Sequence, residues 1–206
     1  MILEHTYQDY AGSGKLECSE WDRIWFEKTY DKDAKRVIYI GDSISQGTFD
    51  NANKMTDGKI LFNRLGTSKA LDNPYFYPLV KMFIDQCERR DAIIFNNGLH
   101  GWHLSEEEYK EYYAAFLKKL RADYSDTPIY IVLTTDISDA RANRPRVSVR
   151  NEKALELAEE FGLEVIDLYT VSQENASLHT DDGVHFTPEG YAVLAGAVVD
   201  FLKERI

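Results

Sequence analysis

Arg36-Val-Ile-Tyr-Ile-Gly-Asp-Ser-Ile-Ser45 is the stretch that decides the fold. After Arg36 the chain is apolar without interruption to Ile40, with no polar position alternating between the apolar ones. Such a run suits a strand covered on both faces, as in a parallel sheet, rather than a strand with one wet side. Gly41 ends the run. Asp42 and Ser43 are residue types that begin helices, because their side chains accept from the first free backbone N–H groups. The stretch therefore predicts a central strand that turns directly into a helix, with Ser43 at the turn.

Further apolar runs follow at Ile60–Phe62, Ala92–Phe95, Ile129–Leu133 and Val165–Leu168. Between them lie stretches with helical patterning. Pro78–Cys87 carries Leu79, Val80, Met82, Phe83 and Ile84 among charges, and Ser105-Glu-Glu-Glu108 has the form of a capping box opening a helix to Leu120. Asn151–Phe161 is rich in Ala, Leu, Glu and Lys and stops at Gly162, while Thr187-Pro-Glu-Gly190 opens a last helix to about Leu202. From Arg36 onward the order is βαβαβαβαβα. Crossover helices return the chain to the same edge of each strand, so the class is α/β with a mostly parallel sheet sandwiched by helices. Sites in that architecture lie beyond the carboxyl ends of strands. The segments to inspect are Gly41–Ser45, Asn63–Gly66, Asn96–His100 and Thr134–Asp136. Upstream, residues 1–34 form an N-terminal packing arm, with Trp21, Ile24, Trp25 and Tyr30 at roughly helical spacing and no chemistry placed there.

A chain of 206 residues that is 44% hydrophobic can bury a substantial core, and one domain over 1–206 is the expectation. Its net charge of −11 repels nucleic acid, so a small or neutral substrate fits better. Cys18 and Cys87 have no Cys or His nearby at zinc-binding spacing and are read as reduced thiols. The first thirty residues lack the basic start and apolar run of a secretory leader, and no stretch reaches the roughly 18 to 20 apolar residues that span a bilayer. The expectation is a cytoplasmic protein without a membrane partner, although a trimmed secreted form would look the same.

A Gly-Asp-Ser tripeptide also makes ordinary turns. What gives Ser43 chemical meaning is a base, because a serine hydroxyl is a weak nucleophile until its proton is taken. The histidines are His5, His100, His103, His179 and His185. His185 stands out, since Asp182 lies three residues before it and just ahead of the last helix. An Asp-x-x-His turn folds the carboxylate back onto the imidazole and fixes its tautomer, although the same pair also serves as a loop hydrogen bond.

Gly41-Asp-Ser-Ile-Ser45 near one end and Asp182-Gly-Val-His185 near the other together resemble the first and last blocks of the SGNH/GDSL hydrolase superfamily. The resemblance spans roughly residues 36–206. It implies a three-layer α/β/α sandwich with a small, mostly parallel central sheet of flavodoxin-like kind, and a Ser43–His185–Asp182 triad. It also implies an oxyanion hole from the Ser43 N–H, the Gly66 N–H and a side chain after the third strand. That third block departs from the family's usual Gly-x-Asn-Asp: Gly98-Leu-His-Gly101 puts His100 on the asparagine's position, with Asn97 as the alternative donor. The implied activity is hydrolysis of short-chain acyl esters, such as acetyl on carbohydrate, with no metal or organic cofactor. Thioesterase or lysophospholipase activity on the same fold remains open, as does a binding domain that kept the scaffold and lost the chemistry.

Other residues carry weaker signals. His100 and His103 at i and i+3 suggest a metal only if a third ligand joins them. Arg141, Arg144, Arg146 and Arg150 form the dense basic segment of an acidic chain; they suit either an anionic substrate group or pairing with the abundant carboxylates. Phe49, Tyr75-Phe-Tyr77, Trp102 and Phe186 offer a stacking wall for sugar or, equally, core.

Overall fold

The computed structural model describes residues 16–17 and 19–206. In chain order the elements are β1 (Asp22–Trp25), β2 (Lys35–Gly41), α1 (Ser43–Met55), β3 (Ile60–Thr67), α2 (Phe76–Asp85), β4 (Ala92–Phe95), α3 (Glu106–Asp123), β5 (Ile129–Val132), α4 (Arg144–Phe161), β6 (Val165–Ile166), α5 (Leu168–Glu174) and α6 (Pro188–Lys203). The sheet order is β1-β3-β2-β4-β5-β6. All neighbours are parallel except β1, which runs antiparallel to β3 along the edge.

Alternation along β2 shows why its run has no polar positions. Val37 and Tyr39 point into one apolar cluster, and Ile38 and Ile40 into another. The first cluster is closed by α1, α5 and α6, and the second by α2, α3 and most of α4. Each face therefore removes its own set of side chains from water, and the result is a three-layer α/β/α sandwich. The sheet reverses direction of growth at β2, which has β3 on one side and β4 on the other. The crevice beyond their carboxyl ends is the topological switch point where doubly wound sheets hold ligands.

Three sequence expectations are corrected. Trp21, Ile24 and Trp25 do not make a helical arm: Asp22–Trp25 is the edge strand β1, Trp25 and Tyr30 are exposed, and Ile24 packs against the second cluster. Residues 1–15 and Cys18 lie outside the described residues. Second, β3 runs on to Thr67, so Gly66 sits inside a strand rather than after one. Polar Asn63 and Arg64 break the apolar run in sequence, yet Asn63 is buried and bonded to the Glu27 N–H and Cys87. Third, α4 starts at Arg144, seven residues ahead of Asn151, with a proline in its first turn, where the missing N–H costs nothing. Among the described residues, no helix is long and apolar enough to cross a membrane.

Helices α1 and α6 touch at bare backbone. A methyl group built on Gly47 would fall inside the ring of Tyr191. In an exposed helix Gly→Ala gains about 1 kcal/mol in propensity, but overpacking costs about 1–3 kcal/mol. Gly47→Ala is therefore expected to destabilise the fold by up to about 2 kcal/mol in urea unfolding. In a Tyr191→Ala background the same change is expected to be neutral or stabilising; an equal cost in both backgrounds would rule out this contact as the cause.

Candidate active site

Ser43 is the first residue of α1, two residues past the Gly41 that ends β2 and directly after the Asp42 N-cap. The turn is tight, since a Cβ on Gly41 would lie 2.8 Å from that of Ser45. Asp42 caps α1 by accepting the Ile44 N–H at 2.9 Å. The N–H of Ser43 belongs to the first helical turn, which has no intrahelical acceptor.

From the other end of the chain comes the segment before α6. Gly183 takes a φ of +69°, which glycine adopts without strain, and its N–H donates to Thr180. The turn wraps the chain around the Asp182 carboxylate: Oδ1 accepts from Val184 N–H at 2.8 Å, His185 N–H at 2.9 Å and the Thr180 hydroxyl at 2.9 Å. Oδ2 faces Nδ1 of His185 at 2.6 Å, and Nε2 of the same ring stands 2.8 Å from the Ser43 hydroxyl. Burial by itself would raise the Asp182 pKa. The hydrogen bond from the His185 ring and those from the backbone N–H groups outweigh burial and hold the carboxyl well below the usual range. Asp182 is thus a fixed anion behind an imidazole whose far nitrogen meets a hydroxyl.

The remaining expected donors separate. Ser68 N–H donates to the Trp21 carbonyl at 3.1 Å. Alternation in an antiparallel ladder then makes Arg23 and Gly66 a bonded pair, so the Gly66 N–H is engaged with the Arg23 carbonyl. This corrects Gly66 as an oxyanion donor. Asn97 gives its amide to the Lys69 carbonyl at 2.9 Å. His100 differs: it is buried, and both ring nitrogens lack a protein partner. Burial, then the Arg150 and His185 charges, press its pKa down to about 3, so the ring is neutral and carries one N–H.

The four arginines have partners within the chain, and of the four Arg150 alone is buried. Arg141 Nε donates to the Asp182 carbonyl at 2.6 Å, and Arg144 pairs with Asp136 and Asp139. Arg146 holds Glu106 and the carbonyls of Trp102 and Leu104. Arg150, fully buried, pairs with Glu106 at 2.8 Å and donates to the carbonyls of Gly98, His100 and Gly101, its guanidinium lying 4.0 Å from the Trp102 ring centre. It fixes the loop that carries His100. The aromatics are mostly core: Phe49, Phe76, Trp102 and Phe186 are buried, while Tyr75 is exposed. His103 bonds Asp72 and His179 bonds backbone carbonyls; His5 lies outside the described residues. Among the described residues no three His, Cys, Asp or Glu side chains gather to hold a metal ion. Cys87 is free and buried, which pushes its thiol pKa up.

A family model described as the GDSL-like lipase/acylhydrolase family matches residues 89–193, just over half of the chain. That span includes His100, Asp182 and His185 but not Ser43. Among solved structures, the lipase/acylhydrolase from Enterococcus faecalis is similar with TM-score 0.69 and 16% identity, covering 83% of this chain and 96% of that one. An acetyl xylan esterase is similar with TM-score 0.66 and 16% identity, covering 81% and 99%. A lipolytic G-D-S-L family protein from Veillonella parvula follows with TM-score 0.65 and 19% identity, covering 82% and 99%. No curated protein sequence matches the chain.

Asp42 gives the site its own pH signature. Its carboxyl is buried and Oδ2 has no protein partner. Desolvation raises its pKa to about 6, against the lowering by the Ile44 N–H and the His185 charge. The folded state therefore keeps a proton that the unfolded chain has already lost. The stability this brings is complete below the ordinary carboxylate range and is lost as pH rises through about 6, by up to about 3 kcal/mol. Asparagine caps equally well, so Asp42→Asn is expected to raise Tm relative to wild type at pH 7.5 and to lose that advantage at pH 4. Equal differences at both pH values would contradict the assignment.

Proposed function

The chain belongs to the GDSL-like lipase/acylhydrolase family and is a hydrolase of carboxylic esters, and from that premise we propose that Ser43, His185 and Asp182 carry out the reaction by acyl transfer. The observation that carries this reading is the continuous line from Asp182 Oδ2 through His185 to Ser43 Oγ, with gaps of 2.6 and 2.8 Å. The 2.8 Å gap lies within the range in which a proton moves between nucleophile and base, and the 2.6 Å hydrogen bond orients that base.

His185 Nε2 takes the hydroxyl proton as Ser43 Oγ attacks the ester carbonyl. The anionic Asp182 favours the Nδ1–H tautomer that leaves Nε2 free to accept, and then stabilises the imidazolium. The oxyanion forms against the Ser43 N–H at the positive end of α1, with His100 as the second donor. His185 returns the proton to the departing alcohol. Water then repeats the sequence on the acyl-enzyme and releases the acid.

For the substrate we favour short acyl groups, acetyl on carbohydrate among them. The cavity beneath the Asp42–Ser45 turn is about 10 Å³, the size of one water. The fold shared with an acetyl xylan esterase agrees with this choice without requiring it.

Three measurements check the reading. Asp182→Asn presents an amide N–H to Nδ1 and so favours the wrong tautomer; kcat is expected to fall about 10⁴-fold, the loss that this change causes in a serine protease triad. With p-nitrophenyl esters, kcat/KM is expected to be highest for acetate and to fall steadily beyond butyrate, whereas a maximum at long chains would refute the short-acyl proposal. His100→Ala is expected to lower kcat about 10²- to 10³-fold with KM little changed, and Asn97→Ala to lower it less. The reverse ranking would make Asn97 the donor.

A further inference from the structure

Glu17 precedes β1, in a stretch whose sequence carries no motif, yet its side chain is as buried as that of His100. Its Oε1 accepts the Gly101 N–H at 2.6 Å and stands 3.9 Å from Nδ1 of His100. The edge of Trp21 closes over the same imidazole, with ring centres 6.2 Å apart. A neutral imidazole has one N–H, and the neighbour of one nitrogen decides which nitrogen bears it. An ionised Glu17 would draw the hydrogen to Nδ1 and leave Nε2 with a lone pair, which repels an oxyanion. If the pair holds one more proton, the outcome reverses. The carboxyl then donates to Nδ1, and Nε2 keeps its hydrogen.

Building on the reading of His100 as an oxyanion donor, we propose that Glu17 is the positioning residue for that donor. One proton held between the Glu17 carboxyl and Nδ1 of His100 fixes the N–H on Nε2. The present gap is about 1 Å longer than a hydrogen bond, so a small approach completes it. Arg150 already holds the carbonyls of His100 and Gly101, which leaves the two side chains as the parts that move.

The surroundings on balance favour the neutral carboxyl. Burial raises the Glu17 pKa, and Glu20 adds to this, against the Gly101 N–H and the charges of His103 and Arg150. Burial, Arg150 and His185 all disfavour an imidazolium at His100. Arg150 pairs with Glu106, which Arg146 also holds, and His103 pairs with Asp72. Burial thus favours a neutral acid facing a neutral imidazole.

The test uses the full chain and hydrolysis of p-nitrophenyl acetate from pH 5 to 10, with spontaneous hydrolysis subtracted. Wild-type kcat is expected to fall at alkaline pH as the shared proton leaves, by up to the roughly 10²-fold that one donor is worth. Glu17→Gln removes the titrating proton, so the alkaline fall is expected to disappear whatever the level of its neutral-pH kcat. In His100→Ala the fall also disappears, from a lower plateau. Histidine ¹⁵N NMR of the wild type, assigned by His100→Ala, is expected to show His100 passing from the Nε2–H to the Nδ1–H tautomer over the same range. An alkaline fall that persists in Glu17→Gln, a wild-type profile flat to pH 10, or a His100 tautomer that does not change would each overturn the proposal. If His100→Ala leaves neutral-pH kcat unchanged, the donor reading itself fails and this proposal with it. A loss in His100→Ala beside an unaltered fall in Glu17→Gln would overturn the role of Glu17 alone.

Discussion

Ser43 and His185 stand 142 residues apart in sequence and 2.8 Å apart in space, and the packing of α1 on α6 is what closes that distance. Each helix begins beside its own member of the pair, so the hydroxyl and the imidazole meet only if the two N-termini are held at one place. Gly47 against Tyr191 permits the close approach, and the Thr187 cap on Gly190 sets where α6 starts. The parallel sheet adds the second condition. It aligns the carboxyl ends of β2 and β4, so that the turn with Ser43 and the loop with His100 flank one crevice.

Around that crevice the polar groups fall into two kinds. Asp182 is a carboxylate stabilised by every donor the turn can aim at it, and it stays charged. Asp42, Glu17 and His100 are buried with few partners, and burial drives each toward its neutral form. Under the proposed mechanism the oxyanion would develop beside the neutral His100 ring, with the negative charge of Asp182 set behind the base. Arg150 serves this arrangement indirectly: it pairs with Glu106, and its N–H groups hold the carbonyls of Gly98, His100 and Gly101.

The sandwich was legible because its central strands are apolar on both faces and its helices carry caps, as at Ser105 and Thr187. The edge strand β1 was not, because Asp-Arg-Ile-Trp has no alternation and is extended only by pairing with β3. The same pairing explains Gly66: a glycine in a degenerate block looks free in sequence, and only the ladder shows its N–H engaged. Ser43, Asp182 and His185 stood out because chemistry limits the residue types that serve those roles and short spacing ties two of them. Glu17 left no trace, since an acid in a polar segment is ordinary until the fold buries it. The arginines showed their charge but not their direction.

The most direct test of the account is covalent labelling with a fluorophosphonate followed by peptide mapping, in wild type and in His185→Ala. An activated serine reacts quickly and an ordinary hydroxyl does not. The account predicts a single adduct on Ser43 in the wild type and none in His185→Ala over the same time. An adduct elsewhere, no adduct, or labelling of Ser43 at the same rate without His185 would contradict it.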